Sequence, residues 1–310
     1  THVISKVEEE ATAVHLDIGL DTKKNKAISS NRKREHWFNA EGELIPHGVR
    51  GEARMKAKYQ RGKQSVYQYL RMTSIVNPHA SISFRVFDEG GAVIDGGDWP
   101  RVTDVLPTPV KEIRPHPHGL EIGSLQRFLR ESDERKMTSF LRRNFSGVSM
   151  RAARDILARA EIDEARRPTT VKAEEAQGLL AAFRQVRIMP PPIDCLSPIE
   201  DLLIKKGLSK AIDSRFVSTI TRSPTVASGN PFQVEVGLIF GIDMPVDGPV
   251  EVLRFANRVP LMYQQGGCLL TKAIESVDWK KYGLDHPGGR GTPKGPAAIL
   301  VHLASTNVQF

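Results

Sequence analysis

The sequence has few cysteines and no long apolar segment. Its two cysteines, Cys195 and Cys268, cannot form a disulfide framework and fit a reducing cytoplasm. No apolar run approaches the roughly 20 residues that a membrane-spanning helix needs. A signal-peptide pattern, an internal repeat and a low-complexity tract are also missing, and we interpret the start at Thr1 as a truncation. These features argue against secreted disulfide-rich proteins and against a membrane partner.

Common catalytic and metal-binding arrangements are missing as well. No Ser-His-Asp arrangement suggests a nucleophile. His116 and His118 have no cysteine or carboxylate at ligand spacing, so they predict no metal site. Residues 288–295 are rich in glycine but break the spacing of a P-loop, which favours a flexible loop. The residues by themselves therefore predict no catalytic centre and no bound metal.

The composition is that of a globular protein with a basic surface. A chain of 310 residues, 40% hydrophobic and 26% charged, is long enough for two or three domains. Its formal net charge of +8 indicates a polyanionic partner. Part of that charge lies between residues 127 and 167, where 11 Arg or Lys residues stand against 7 Asp or Glu residues.

Apolar periodicity predicts the first half of the chain as a mixed region followed by a helical one. Strands are expected at 13–20 and 49–59, a basic loop at 23–34, a helix at 64–75 and a hairpin at 81–87 and 92–95. Met55 is expected on a buried strand face, and Val66 on the buried helix face. Prolines between 100 and 117 indicate a linker, after which 121–187 is expected to be all helical, with Ser149 as an N-cap.

Beyond Pro190-Pro191-Pro192 the pattern alternates between strand and helix. A helix is predicted near 198–207, strands at 215–221, 232–241 and 250–259, a helix at 268–277 and a strand at 297–304. The apolar alternation from Phe232 to Phe240 predicts a sheet that is packed on one side. The β-α-β order near the end predicts parallel strands joined by a right-handed crossover.

Residues 251–282 carry the most informative pattern. A strand-like run ends in the turn Gln264-Gln265-Gly266-Gly267, a helix-like segment follows, and Trp279-Lys280-Lys281-Tyr282 places two aromatic residues around two cations. This stretch resembles the transducer domain of the B subunit of DNA topoisomerase VI, a type IIB enzyme. Residues 254–261, Arg-Phe-Ala-Asn-Arg-Val-Pro-Leu, are close to a signature of that family. Similar runs at 75–80, 115–119, 189–198 and 230–235 follow in the family's order, so the resemblance covers nearly the whole chain.

The resemblance implies an α+β protein with three parts. Residues 1–113 would be the C-terminal part of an ATPase sandwich of the gyrase, chaperone and histidine-kinase type. Residues 114–193 would be an all-helical helix–two-turn–helix insert, and 194–310 a β-α-β transducer domain with a ribosomal-protein-like fold, truncated at its C-terminal end. The chain would be a fragment of a subunit that couples ATP-driven dimer closure to double-strand cleavage by the A subunit, relaxing and decatenating duplex DNA.

ATP and Mg²⁺ are the cofactors that the resemblance implies for the full-length protein. The family's Glu-Asn helix and glycine boxes are missing from this stretch, and we interpret Asp88-Glu89-Gly90-Gly91 and Asp95-Gly96-Gly97-Asp98 as parts of a hairpin. The family's nucleotide-facing threonine aligns with Val49, where valine removes the hydroxyl. Its phosphate-sensing lysine would come after Phe310. We therefore expect this stretch alone to bind no cofactor and to hydrolyse no ATP.

The implied DNA contacts fall in three places. Arg61-Gly62-Lys63 occupies a loop that the family writes Lys-Gly-Arg-Arg, and a glycine between cations lets the backbone approach phosphate. Trp279-Lys280-Lys281-Tyr282 matches the family's Trp-Lys-x-Tyr element; the alternative is an aromatic pair that fills the sheet beneath two solvated lysines. The turn of the helical insert is flanked by cations that form either a DNA surface or a solvated helical surface, namely Arg142, Arg143, Arg151 and Arg154.

The expected partners are duplex DNA, the topoisomerase VI A subunit and a second copy of the B-type chain, joined through the N-terminal ATPase region. The expected location is the cytoplasm, with the nucleoid, in an archaeon, or the nucleus in a eukaryote. Two alternatives stay open. One is a non-catalytic scaffold of the meiotic B-like kind, which Val49 suits. The other is an RNA-binding protein that shares the β-α-β fold.

Overall fold

The computed structural model describes residues 1–21, 23, 26–241 and 244–308. The chain divides into two units, Thr1–Gln60 and Arg61–Phe310. Lys24 and Asn25 of the predicted basic loop lie outside the described residues. Of the helices in the described ranges, none combines the length and the apolar character that crossing a bilayer demands.

The first unit is built on an antiparallel sheet. Its strands are β1 (His2–Lys6), β2 (Ala13–Asp21), β3 (Lys26–Glu35) and β4 (Gly48–Glu52), in the order β3-β2-β1-β4. Strand β2 confirms the strand predicted at 13–20. The predicted loop is wrong over Lys26–Glu35, which pairs with β2 although all of its side chains are exposed. Pairing with β2 satisfies the backbone groups on one edge of β3, so this strand forms without an apolar face.

The strand predicted at 49–59 is confirmed only at its beginning. Pairing with β1 ends where Glu52 faces His2, and residues 53–61 have no regular structure. Met55, expected on a buried face, is 76% exposed. Alternating apolar and charged residues can line two faces, but a strand extends only as far as a neighbouring strand supplies backbone partners.

The second unit begins with a helix and a hairpin. These are α1 (Val66–Val76), β5 (Ile82–Phe87) and β6 (Val93–Trp99), which confirm the predicted elements. The buried helix face differs from the expected one, because Met72, Ile75 and Val76 are buried whereas Val66 is 53% exposed. The C-terminal half of α1 therefore provides its packing surface.

A bundle of helices follows the proline-rich linker and confirms the predicted helical stretch. Its members are α2 (Ile122–Arg130), α3 (Met137–Asn144), α4 (Met150–Arg159) and α5 (Ala173–Gln185). Phe145 lies at the centre, with ring centroids 5.6–5.8 Å from three other phenylalanines. Ser149 caps α4 by accepting the amide of Ala152 at 3.1 Å, as predicted. Gly147 has φ 73°, and a Cβ there would collide with the carbonyl of Met189, so the turn before α4 requires glycine.

The rest of the unit is a mixed sheet with helices. In chain order the elements are α6 (Asp201–Ala211), β7 (Ser214–Thr221), β8 (Thr225–Ala227), β9 (Asn230–Gly241), β10 (Glu251–Ala256), β11 (Val259–Pro260), α7 (Leu269–Glu275) and β12 (Ala297–Ser305). The sheet order is β11-β10-β12-β9-β7, with β8 also paired to β9. Strands β10 and β12 are parallel and α7 lies between them in the chain, which confirms the predicted parallel β-α-β order.

Two details of this sheet were predicted wrongly. The run at 250–259 is not one strand, because the chain turns at Asn257 and Arg258 between β10 and β11. The sheet is also covered on both faces: α1 and α6 pack on one side, and a smaller cluster around Ile274 of α7 packs on the other. As a result, the fully buried side of β9 carries Gln233 and Glu235, while its more apolar side is only half-buried.

Candidate nucleic-acid interface

The Arg61-Gly62-Lys63 loop leads directly into α1 and is fixed to its first turn. The hydroxyl of Ser65 donates to the carbonyl of Gly62 at 2.7 Å and accepts the amide of Gln68 at 3.2 Å. A Cβ at Gly62 would meet no atom within 4 Å, so the backbone here is open to solvent. Both cations of the loop are exposed. The geometry suits a phosphate that approaches a backbone between two positive side chains.

Trp279-Lys280-Lys281-Tyr282 forms a single 3₁₀ turn after α7. The indole of Trp279 donates to the carbonyl of Ile274 at 2.7 Å, and its ring packs on the cluster beneath the sheet. Tyr282 is 67% exposed and meets the Trp279 ring edge to face, with centroids 6.2 Å apart. Both lysines are exposed, and Lys281 lies 3.4 Å from Asp278. Trp279 therefore anchors the turn, while the lysines and Tyr282 face solvent.

Arg142 and Arg143 lie in the last turn of α3 with exposed side chains. The guanidinium of Arg143 is 2.8 Å from the carboxylate of Glu134, and its side chain is 75% exposed. In α4, Arg154 lies 3.3 Å from Glu164, and both side chains of this pair are exposed. Exposed ion pairs contribute little to stability, so a phosphate can replace Glu164 there at little cost. The same does not hold for Glu134, whose side chain is only 20% exposed.

The three places remain separate within the second unit. Among the described residues, no hydrogen bond or ion pair connects the loop before α1, the turn at 279–282 and the arginines of α3. The loop does border a cleft of about 510 Å³ between α1 and β10, lined in part by Lys63, Glu251 and Arg254. Lys63 thus lies next to the mixed sheet of the second unit, called the second sheet below.

The position aligned with the nucleotide-facing threonine lies in the first unit. Val49 is part of β4 and is 73% exposed, and its hydrocarbon side chain can form no hydrogen bond. Asp88 closes the hairpin turn by accepting the amide of Ala92 at 2.8 Å, and Asp98 of β6 pairs with Arg85 at 2.7 Å, which confirms the hairpin interpretation of both motifs. Over the described ranges, no cluster of three His, Cys, Asp or Glu residues could hold a metal ion.

The two histidines of the linker support the helical bundle. The Nε2 atoms of His116 and His118 lie 3.1 and 2.9 Å from the carbonyls of Met189 and Phe183. Burial lowers the pKa of His116 below its ordinary value. Both rings therefore act as cross-links between the linker and the end of the bundle.

A buried charged network inside the second sheet escaped the sequence analysis. Glu235 of β9 and His302 of β12 have fully buried side chains, and their closest atoms are 2.7 Å apart. The Nε2 atom of His302 accepts the backbone N–H of Arg258 at 3.0 Å. Since that nitrogen accepts, the ring proton lies on Nδ1, which donates to Glu235.

Glu235 also fixes the backbone that leads into helix α6. Its carboxylate accepts the amides of Ile199 and Glu200, both at 2.7 Å, and the hydroxyl of Thr221 at 2.8 Å. Burial alone raises the pKa of Glu235, but its hydrogen bonds outweigh this effect and hold the pKa below the ordinary value. An ionised carboxylate at the positive end of α6 is electrostatically favourable.

The signature at 254–261 completes this network. Asn257 and Arg258 have φ values of 46° and 64°, both left-handed, as a two-residue turn between β10 and β11 requires. The guanidinium of Arg258 donates to the carbonyl of Val76 at 2.8 Å and to that of Pro198 at 2.9 Å. Arg258 therefore ties the end of α1 to the segment before α6.

Comparisons with known proteins support the family resemblance. Residues 191–310 match the family model of the topoisomerase VI B subunit transducer. The chain is 46% identical to the B subunit of type 2 DNA topoisomerase 6 from Methanococcoides burtonii, covering 100% of this chain and 48% of that protein. It is 42% identical to the protein of the same name from Archaeoglobus fulgidus, covering 99% of this chain and 49% of that protein. The chain thus belongs with the topoisomerase VI B subunits and spans about half the length of the curated relatives it matches.

Proposed function

We propose that this chain is a segment of the B subunit of an ATP-dependent type IIB DNA topoisomerase. In the intact enzyme, dimer closure driven by ATP and Mg²⁺ would be passed through the transducer to the A subunits, which would cut both strands. Relaxation and decatenation of duplex DNA would follow from passage through that break. The match of residues 191–310 to the transducer model is the observation that carries the proposal.

Each region of the chain has a part in this proposal. Residues 1–113 would end the ATPase domain, 114–193 would form the helix–two-turn–helix domain and 194–310 the transducer. Two B subunits would associate through the N-terminal ATPase region of the full-length protein. The proposal leaves catalysis of ATP hydrolysis to residues of the full-length protein, because the exposed hydrocarbon side chain of Val49 offers no hydroxyl to a nucleotide.

The DNA contacts would come from Arg61, Lys63, Lys280 and Lys281, with further cations of the helical domain alongside. All four side chains are exposed, and both short segments are fixed by hydrogen bonds to neighbouring elements. Such contacts reach phosphates and carry no base information, so duplex binding would be salt-dependent and sequence-tolerant.

Changing Lys280 and Lys281 together to glutamate tests the proposal. We expect the variant to bind duplex DNA on the order of tenfold more weakly, with a log–log salt slope that is smaller by about two, because two phosphate contacts are lost. Fluorescence anisotropy of a labelled duplex over a salt series measures both quantities.

The matched control replaces Lys205 and Lys206 of α6, two neighbouring lysines, by glutamate. It makes the same change in net charge at another place, so a purely global effect would appear in both variants. Equal affinities and equal slopes for the two double variants would reject the assignment of the turn at 279–282. Competition of the bound duplex by structured RNA distinguishes the RNA-binding alternative.

A further inference from the structure

The Arg61 guanidinium stacks on the ring of Tyr67, which in turn contacts the ring of Trp99. Trp99 at the end of β6 is 7% exposed, and its ring centroid lies 5.3 Å from that of Tyr67 in α1. The guanidinium carbon of Arg61 lies 3.8 Å from the centroid of the Tyr67 ring. This distance is that of a stacked cation–π contact.

Gly97 of β6 leaves the space in which the two rings meet. A Cβ at this position would come within 2.8 Å of the Trp99 ring and 2.9 Å of the Tyr67 ring. Both distances are shorter than carbon atoms tolerate. The Asp95-Gly96-Gly97-Asp98 motif of the hairpin therefore has a packing role beneath Arg61.

Asp95 forms an ion pair with the same guanidinium. Its carboxylate lies 3.4 Å from Nη1 of Arg61, and its side chain is only 16% exposed. Asp95 and Gly97 are two residues apart in β6, so they lie on one face of the strand. The Arg61 side chain remains 55% exposed, which leaves further guanidinium donors directed at solvent.

We propose that Tyr67 is a positioning residue that presents the Arg61 guanidinium to a DNA phosphate, and that Asp95 is the anion with which that phosphate competes. This inference rests on the proposed function, since it takes Arg61 as a duplex contact. A guanidinium that is already oriented loses less side-chain freedom on binding. The carboxylate of Asp95 beside it repels the incoming phosphate, which lowers the affinity of Arg61 for that phosphate.

A set of variants tests the positioning role by duplex affinity and salt slope. Arg61→Gln is expected to weaken binding and to reduce the salt slope by about one. Tyr67→Leu is expected to weaken binding about two- to five-fold, the range of an exposed cation–π contact. Tyr67→Phe keeps the ring and should bind like the parent chain. In the double variant Arg61→Gln/Tyr67→Leu, the loss should be no greater than with Arg61→Gln alone, because the ring acts only through the arginine.

The outcomes separate this inference from the proposed function. If Arg61→Gln weakens binding but Tyr67→Leu does not, or if the two losses multiply, Tyr67 has no positioning role. If Arg61→Gln has no effect while Lys280 and Lys281 do matter, DNA binding stands and the inference about this loop falls. Melting temperatures of all variants control for folding.

Asp95→Asn gives an independent test that does not disturb the rings. It removes one negative charge beside Arg61 but keeps an oxygen that can accept the Gly96 amide, which the aspartate accepts at 2.8 Å. We expect duplex affinity to rise about two-fold or more. Unchanged or weaker binding would overturn the competing role of Asp95.

Discussion

Replacing Glu235 by glutamine should lower the free energy of unfolding by about 2–6 kcal/mol, because the glutamine leaves two buried donors without an acceptor. Each carboxylate oxygen of Glu235 accepts two hydrogen bonds: one oxygen from Glu200 and Thr221, the other from Ile199 and His302. A glutamine of the same shape presents an NH₂ group to one of these pairs. Buried donors left without an acceptor cost about 1–3 kcal/mol each. Urea denaturation followed by circular dichroism measures the loss.

Glu251→Gln is the matched control for this prediction. Glu251 lies in β10 of the same sheet, pairs with Arg71 at 2.8 Å, and has a side chain that is 30% exposed. Water can replace the lost partner there, so the expected cost is about 1 kcal/mol or less. Similar losses in the two variants would show that the buried network contributes no more than a surface ion pair.

The stability difference between the parent chain and Glu235→Gln should also depend on pH. Because the folded-state pKa of Glu235 lies below its ordinary value of 4.5, its carboxylate contributes stability that is present above that value and is lost as the pH falls through the folded-state pKa. A protonated carboxyl also turns a hydrogen toward neighbouring donors, as glutamine does. The difference should therefore be largest near neutral pH and should shrink in acid. A difference that stays constant between pH 7 and acid would contradict an ionised Glu235.

Local sequence patterns predicted most elements of the second unit. The helix before the hairpin, the four-helix stretch and the parallel β-α-β order depend on periodicity, capping and chain connectivity, which are visible in the sequence. Ser149 illustrates this, because a side chain three residues before the amide it caps is a purely local arrangement.

The errors arose where distant parts of the chain decide the outcome. Strand β3 forms because β2 supplies its backbone partners, and its exposed polar residues carry no trace of that pairing. Glu235 looked like the solvent side of an alternating strand, since the helices that cover it come from other segments. A charged residue and a histidine inside otherwise apolar strands were the available indication that Glu235 and His302 form a buried pair.

For the candidate interface, sequence similarity located the cations but not their surroundings. The loop at 61–63 and the turn at 279–282 were identified through the family resemblance of their residues. Their anchors could not, because the Tyr67 ring and the Ile274 carbonyl are brought there by folding. Which cations contact phosphate stays a prediction for the binding experiments.

Gly207→Ala is expected to disturb the packing of α1 on α6. A Cβ at Gly207 would collide with the backbone carbonyl of Ile75, and a backbone atom cannot move aside as a flexible side chain can. Ile75 is fully buried in the core that both helices share with the second sheet. Overpacking of this kind costs about 1–3 kcal/mol or more, and denaturation with urea would measure it.

Gly178→Ala provides the control for a helical glycine. Gly178 lies within α5, and a Cβ there would meet no atom within 4 Å. The same substitution should stabilise the chain by about 0.5–1 kcal/mol, because alanine restricts the unfolded chain and favours the helix. If Gly207→Ala lowers the free energy of unfolding and Gly178→Ala raises it, the destabilisation comes from the contact between α1 and α6. Hydrogen exchange would then show faster exchange of the α1 amides in Gly207→Ala only, because only that substitution pushes against the backbone of α1. If both variants gain stability and α1 keeps its protection, the close approach of these helices does not limit the fold.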